Sequence, residues 1–353
     1  MDVRNPSPGD ETMLRGGIIG FGRMGITHCS ILNSHPDVRI VSISDTHGLV
    51  RKSAQKYLGV AAYEDHDKML QEMNLQFVVV ATPTASHKEM VKVALARKVH
   101  VFVEKPFTLN PDESRELVSL AEQATAVNQV GYVIRFNDVF MEVKKLLDMH
   151  ALGDLVMFKM EMNGPTVLRD TKGNWRSSKG TGGGCLYDFA SHAIDLINYL
   201  LGPPDRITGT ILQSIHSADV EDAVGTTYIY NSGLRGNILV NWSDPSYRKP
   251  THRFEVLGRE GKIIADLHAY KVFFRRKPRL NEFSEGWNER YITDFAEPCR
   301  FYLRGFEFTR QLDHFVDCMC GRQRCGIASF AQGLETDLVI AHIREDAQNA
   351  CRN

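Results

Sequence analysis

From Leu14 the chain reads Leu-Arg-Gly-Gly-Ile-Ile-Gly-Phe-Gly-Arg-Met-Gly: a short apolar strand, then Gly20-x-Gly22-x-x-Gly25, then a helical stretch through Leu32. That order constrains the fold strongly, because each glycine meets a different steric demand. Gly20 allows the tight turn, Gly22 lets the backbone approach a pyrophosphate, and Gly25 permits close helix packing. The helix start supplies amide donors and a positive dipole end, and Phe21, Arg23 and Met24 lie in the same turn. The next strand, Val38 to Asp45, ends on an acid twenty-five positions after Gly20. A carboxylate there accepts from both ribose hydroxyls and repels a 2'-phosphate, so NAD is expected. Arg51 and Lys52 nearby keep NADP open as the alternative, and Asp45 also reads as a plain strand-end turn residue.

Further strands at Phe77 to Ala81 and Val99 to Val103, separated by the apolar-periodic Ser86 to Ala96, indicate right-handed crossovers in a parallel sheet. Ligands gather at the carboxyl ends of such strands, where two loops leave. In the first, Thr82, Pro83, Thr84 and His87 are candidates to lie along the cofactor, while Ser86 reads equally as an N-cap. The second is Glu104-Lys105-Pro106-Phe107. An ammonium at Lys105 would donate to a substrate oxygen and stabilise charge on it; the alternative is a surface lysine. Glu104 offers Lys105 a partner, and Pro106 sets the backbone, with a cis bond open to it. A last strand, Asn128 to Ile134, leads into Arg135-Phe136-Asn137. The expected division is a loose tail at 1–13, an NAD(P)-binding Rossmann domain at 14–136 and a second domain at 137–353.

That second part alternates apolar and polar residues at Ile207 to Ile215, Ala223 to Tyr230, Arg235 to Trp242, Arg253 to Leu257 and Lys262 to Asp266. Asn231-Ser232-Gly233 and Gly258-Arg259-Glu260-Gly261 read as hairpin turns. The fold class is therefore α/β plus α+β: a Rossmann parallel sheet followed by an open-faced, mainly antiparallel sheet with helices on one side. Gly182 to Gly184 open onto a segment whose 3.6-residue period puts Asp188, His192 and Asp195 on one helical face, with Leu186, Ile194, Ile197 and Leu201 opposite. Asp and His four residues apart serve chemistry or form a helix pair with no further task.

Lys plus Arg total 42 against 43 for Asp plus Glu, which leaves no broad bias toward nucleic acid or anionic membrane. No run approaches transmembrane length, and Met1 to Thr12 lacks the apolar core of a signal peptide. Seven cysteines, an odd number, fit reduced thiols in a cytoplasm better than a disulfide framework. Cys318, Cys320 and Cys325 near His314 lack the paired C-x2-C spacing of structural zinc sites, so no metal is expected.

Gly20-x-Gly22-x-x-Gly25, Glu104-Lys105-Pro106, Gly131-Tyr132-x-x-Arg135-Phe136, Trp175-Arg176 and Gly-Gly-Gly-x-x-x-Asp188-x-x-x-His192-x-x-Asp195 together resemble the Gfo/Idh/MocA oxidoreductase family, across about residues 14 to 345. The resemblance implies an NAD(P)-dependent dehydrogenase acting on CH-OH donors of a sugar, cyclitol or sugar nucleotide, forming a homodimer or homotetramer through the C-terminal sheet. It makes Lys105, Asp188 and His192 catalytic and substrate-binding, with Tyr132 adding a sugar contact. Glu104, Lys105, Arg135, Trp175 and Arg176 would line the cofactor site. Ala190 stands where the family usually has glycine, which implies a slightly tighter helix contact. Hydride would pass from carbinol carbon to cofactor while neutral His192 takes the hydroxyl proton, a task suited to imidazole because it titrates near neutrality. Asp188 would accept from a neighbouring hydroxyl or orient Lys105. The basic loop carrying Arg169, Lys172, Arg176 and Lys179 meets a phosphate or is simply solvated. Rival readings are a non-catalytic dinucleotide sensor or co-regulator, and an NADPH-dependent keto-sugar or imine reductase.

Overall fold

A computed structural model describes residues 13–169 and 175–350. Residues 1–12 of the expected tail, and Lys172 of the basic loop, lie outside the described residues. The chain divides into two units, Met1–Gly131 with Cys299–Leu334, and Tyr132–Pro298 with Glu335–Asn353.

In the first unit, β1 (Leu14–Ile19), β2 (Val38–Ser44), β3 (Ala61–Tyr63), β4 (Phe77–Val80), β5 (His100–Val103) and β6 (Asn128–Val130) form a parallel sheet in the order β3-β2-β1-β4-β5-β6. Its central strands are continuous apolar runs, as a sheet covered on both faces requires: Phe77 to Val80 are 0% exposed. The covering helices are α1 (Arg23–Asn33), α2 (Gly48–Leu58), α3 (His66–Glu72), α4 (His87–Ala96) and α5 (Pro111–Ala124). α5 starts cleanly because the Asn110 side chain accepts from the Asp112 amide and Pro111 occupies a position that needs no donor. The strand order reverses between β1 and β4, the switch point at which such sheets bind ligands.

The second unit begins with α6 (Asp138–Asp148), β7 (Leu155–Asn163) and α7 (Ser191–Leu201). Strands β8 (Arg206–Gln213), β9 (Ala223–Ile229), β10 (Arg235–Asn241), β11 (Arg253–Gly258), β12 (Gly261–Ala265), β13 (Ala269–Phe274) and β14 (Gly286–Tyr291) complete an eight-stranded sheet. Its order is β14-β13-β12-β11-β7-β10-β9-β8, antiparallel except where β7 lies parallel to β10. Both expected hairpins form, β9 with β10 and β11 with β12. Period-2 alternation sends Phe158, Met160 and Met162 inward beneath α7 and leaves Met157 and Lys159 on the open face.

Cys299–Leu334 was expected in the second part and instead belongs to the first unit. α8 (Phe306–Met319) lays Leu312, Phe315 and Val316 into the same core as Ile31 and Leu32 of α1 and Phe77 and Phe102 of the sheet. The Val130 amide donates to the Ala328 carbonyl at 2.7 Å, Gln129 Nε2 donates to the Gln311 carbonyl at 2.8 Å, and the Phe107 and Phe330 rings lie 4.4 Å apart. These contacts join positions about two hundred residues apart, which no local periodicity reports. α9 (Phe330–Ala350) then carries the chain into the second unit.

Candidate active site

The nucleotide turn follows from backbone sterics. A side chain at Gly25 would place its Cβ 2.0 Å from the Gly20 carbonyl oxygen, so only glycine lets α1 start against the turn. Nothing lies within 4 Å of a Cβ built at Gly22, which leaves that face of the backbone open to a phosphate. Asp45 is tied to the turn, its Oδ2 accepting from the Phe21 amide and its Oδ1 from the His47 amide, both at 2.8 Å. Two carboxylate oxygens offer about four acceptor sites, so capacity remains for ribose hydroxyls. Arg51, which had kept NADP open, donates to the Asp45 carbonyl at 2.7 Å and to Glu64 at 2.8 Å. The open cradle and the tethered acid fit a dinucleotide; when bound, NAD supplies the hydride acceptor.

Lys105 stands on a loop braced from below. Its peptide bond to Pro106 is cis. Glu104 does not use its side chain chiefly on Lys105, as expected from sequence, but on His28 of α1, with Nε2 to Oε1 2.5 Å. Burial alone would raise the Glu104 carboxyl, and the His28 ring together with the Lys105 charge outweighs it and holds it below the usual carboxylate range. His87, expected at the cofactor, is 0% exposed. Its Nδ1 lies 3.1 Å from the Pro106 and Phe107 carbonyls and its Nε2 3.0 Å from that of Thr82. The ring therefore fastens the two expected loops together. Ser86 stands at the start of α4 without capping it and donates to the Pro83 carbonyl and Thr82 Oγ1. Thr84 is buried, while Pro83 is exposed on the same loop.

Two residues here escape sequence reading. His28 carries no local signal, since an isolated histidine on a helix reads as any polar residue. Arg304 joins the first unit only through the returning segment, with φ at 68° and its guanidinium over the Phe308 ring. Burial first, then the charge of Arg23, lowers its pKa.

In the second unit the Asp188 to His192 segment is not one regular helix. Leu186–Ala190 forms a π turn that passes into α7. Single π turns within helices are frequent at functional sites. The common face expected for Asp188, His192 and Asp195 is broken accordingly. Asp195 is 1% exposed and takes a two-pronged ion pair from Arg135, Nε to Oδ2 2.8 Å and Nη2 to Oδ1 2.7 Å. Burial pushes the Asp195 carboxyl up and the guanidinium opposes it. Arg135, expected at the cofactor, is thus committed to α7, and Tyr132, expected at the substrate, is 1% exposed beside the same pair.

Asp188 is held by Arg176, whose Nε donates to Oδ2 at 2.8 Å, and Arg176 stacks on Trp175 at 4.5 Å. Of the two residues expected at the cofactor, Arg176 thus holds Asp188 and Trp175 supports Arg176. The glycine run makes this possible. Gly184 has φ of 104°, and any Cβ there would meet Glu221 Oε1 at 2.4 Å. That carboxylate, unremarked in the sequence, caps the segment by accepting from the Leu186 amide at 2.8 Å. Ala190, in the usual glycine's place, is 0% exposed. Behind His192 lies His252, ring centroids 6.5 Å apart and edge-on. Burial lowers the His252 pKa to about 4, and neither of its ring nitrogens has a partner among the described residues. A neutral ring therefore backs His192.

No group of three metal-binding side chains occurs among the described residues, and no helix there is long and apolar enough to cross a membrane.

Residues 14–132 match the family model described as an oxidoreductase family with an NAD-binding Rossmann fold, and 140–264 match the GFO/IDH/MocA C-terminal domain. The chain is 29% identical to the scyllo-inositol 2-dehydrogenase (NAD(+)) of Bacillus subtilis, over 88% of this chain and 87% of that protein. It is 27% identical to the myo-inositol 2-dehydrogenase of Thermotoga maritima, over 72% and 75%. Levoglucosan dehydrogenase, solved with NADH and levoglucosan, superposes with a TM-score of 0.83 at 21% identity, covering 95% and 97%. With both domain models matched in order and the nucleotide turn intact, the chain belongs to the Gfo/Idh/MocA family of NAD(P)-dependent oxidoreductases.

Proposed function

We propose that the protein oxidises a secondary alcohol of a sugar or cyclitol with NAD, or runs the reverse reduction, using Lys105, Asp188 and His192. The observation that carries this reading is Asp188 pinned by Arg176 one turn before His192, with a buried neutral imidazole behind. His192 removes the hydroxyl proton as hydride leaves the carbinol carbon, and returns it in reverse. Lys105 donates to the same oxygen and stabilises its negative character. Asp188, fixed on Arg176, accepts from a neighbouring hydroxyl, which orients the ring of the substrate. Inositol dehydrogenases among the relatives support a polyol, and Asp45 favours NAD over NADP.

The open face of the second-unit sheet supports a homodimer or homotetramer: Met157 and Leu257 are register partners and, with Leu239, remain exposed there. Six free cysteines among the described residues support a reducing, cytoplasmic setting. Following nicotinamide absorbance across cyclitols, free sugars, sugar phosphates and nucleotide sugars tests the substrate class. Turnover with a cyclitol or free sugar is expected. Silence across the panel with NADH still bound would leave a dinucleotide sensor.

A further inference from the structure

The ring of His28 is directed at the residue just before Lys105. His28 stands on the second turn of α1, the helix that opens at the glycine turn, and is 0% exposed. Its Nε2 lies 2.5 Å from Glu104 Oε1, and its ring meets that of Phe102 edge-on with centroids 5.1 Å apart. Its Nδ1 has no hydrogen-bond partner among the described residues. A carboxylate only accepts, so Nε2 carries the ring proton and donates. Glu104 is enclosed on its other side, with Oε2 accepting from the Lys105 amide at 3.3 Å and a Cβ at Gly131 placed 3.3 Å from its Cδ. Its charge also acts on Lys105 of its own loop, His87 of α4 and Arg304 of the returning segment. His87 turns both ring nitrogens to backbone carbonyls, and Arg304 lies over Phe308. Among the described residues, His28 is thus the side chain that hydrogen-bonds to this carboxylate from another element. A buried pair of this kind is a poor source of stability, because desolvation offsets the attraction. Its place, directly before the lysine, gives it a different use.

We infer that His28 is a positioning residue for the alcohol oxidation, holding the Glu104 carboxylate as the fixed negative neighbour that keeps Lys105 an ammonium. The role rests on the dehydrogenase reading, in which that ammonium donates to the substrate oxygen. Burial favours the neutral acid at Glu104, and the His28 hydrogen bond is the leading influence against it. With the donor removed, the carboxyl takes up a proton and Lys105 loses a compensating charge. A larger share of the lysine is then free amine, which brings no positive charge to the developing alkoxide. His28 touches neither alcohol nor nicotinamide in this role and acts only through Glu104.

The test is the rate at which Lys105 of the full chain is acetylated by limiting N-acetoxysuccinimide at pH 8, read by trypsin digestion and mass spectrometry. The peptide from Val99 to Arg115 contains a single lysine, and its bond to Pro106 resists trypsin, so acetylated and free forms compare directly. His28→Phe keeps a ring and loses the donor; Lys105 should then acetylate about tenfold faster, with NADH affinity unchanged as the check on folding. Glu104→Gln, which removes the charge itself, should give the same acceleration. His28→Gln restores an N–H donor and should return the rate to that of the parent. An unchanged or slower rate in folded His28→Phe, or no rescue by His28→Gln, overturns the role. Where His28→Phe does not fold, Glu104→Gln decides, because an unchanged rate there removes the carboxylate, and His28 with it, from control of Lys105. In turnover, kcat of His28→Phe should fall about tenfold at saturating alcohol and recover in His28→Gln, a pattern that a merely structural ring would not produce. A parent silent toward every alcohol would count against the dehydrogenase reading, while acetylation would still report on His28.

Discussion

His192 and its surroundings concentrate the chemistry in very few side chains, and single substitutions separate them. His192→Ala should lower kcat by about 10^2 to 10^4 while NADH affinity, measured by fluorescence titration, stays put, because the nucleotide turn and Asp45 are untouched. Equal turnover in the variant would remove the imidazole from the reaction. Asp222 offers a test of a purely structural carboxylate. It accepts from the Ile215, His216 and Ser217 amides, from the Ser217 hydroxyl and from Trp242 Nε1 at 2.6 to 2.8 Å. Burial opposes its charge, and these donors outweigh burial to hold the carboxyl at about 2. Folding therefore depresses its pKa from the ordinary value, so the stabilisation is fully present above about pH 4 and is lost as the pH falls through about 2. In urea unfolding, Asp222→Asn should be less stable than the parent at pH 7, with the gap narrowing steadily below pH 4. A gap independent of pH would show that geometry and not charge sets the contribution.

The element that decides the second-unit site is the π turn at Leu186–Ala190, and its anchors are charges on neighbouring segments. Glu221 caps its start, Arg176 holds Asp188 in its middle, and Arg135 holds Asp195 on the α7 that follows. The Arg135–Asp195 pair joins the turn at Val133–Phe136 to α7 in the core, so each charge depends on the other. Arg135→Met should cost about 3–5 kcal/mol in chemical denaturation because it strands a buried carboxylate, whereas Arg135→Met with Asp195→Leu should recover most of that loss. A single variant as stable as the parent would show that Asp195 is already protonated.

At the scale of the molecule, the open face of the second-unit sheet leaves apolar side chains uncovered: Met157, Leu239 and Trp287 are each 45–56% exposed. Leu239→Glu should shift sedimentation toward the monomer while far-ultraviolet circular dichroism is unchanged; a parent that already sediments as a monomer would remove the assembly proposal. What could be read from sequence at this scale was local. The Gly20 to Gly25 turn, the Asp45 strand end and the hairpins at Gly233 and Gly258 all show in short windows, since their physics involves neighbouring residues. β13 and β14 escaped because Ala269 to Phe274 and Gly286 to Tyr291 lack clear alternation of apolar and charged residues. The partners of Glu104, His87 and Arg135 escaped for a different reason. Each residue's type announces a polar group, and only packing says which of several possible partners lies within 3 Å. The sequence by itself determined the strand and helix periods, the glycine-lined turn and the family. Tertiary structure alone decided that His28 underlies Glu104, that Asp195 turns inward to Arg135, and that Cys299–Leu334 returns to the first sheet, because those outcomes depend on contacts between residues far apart along the chain.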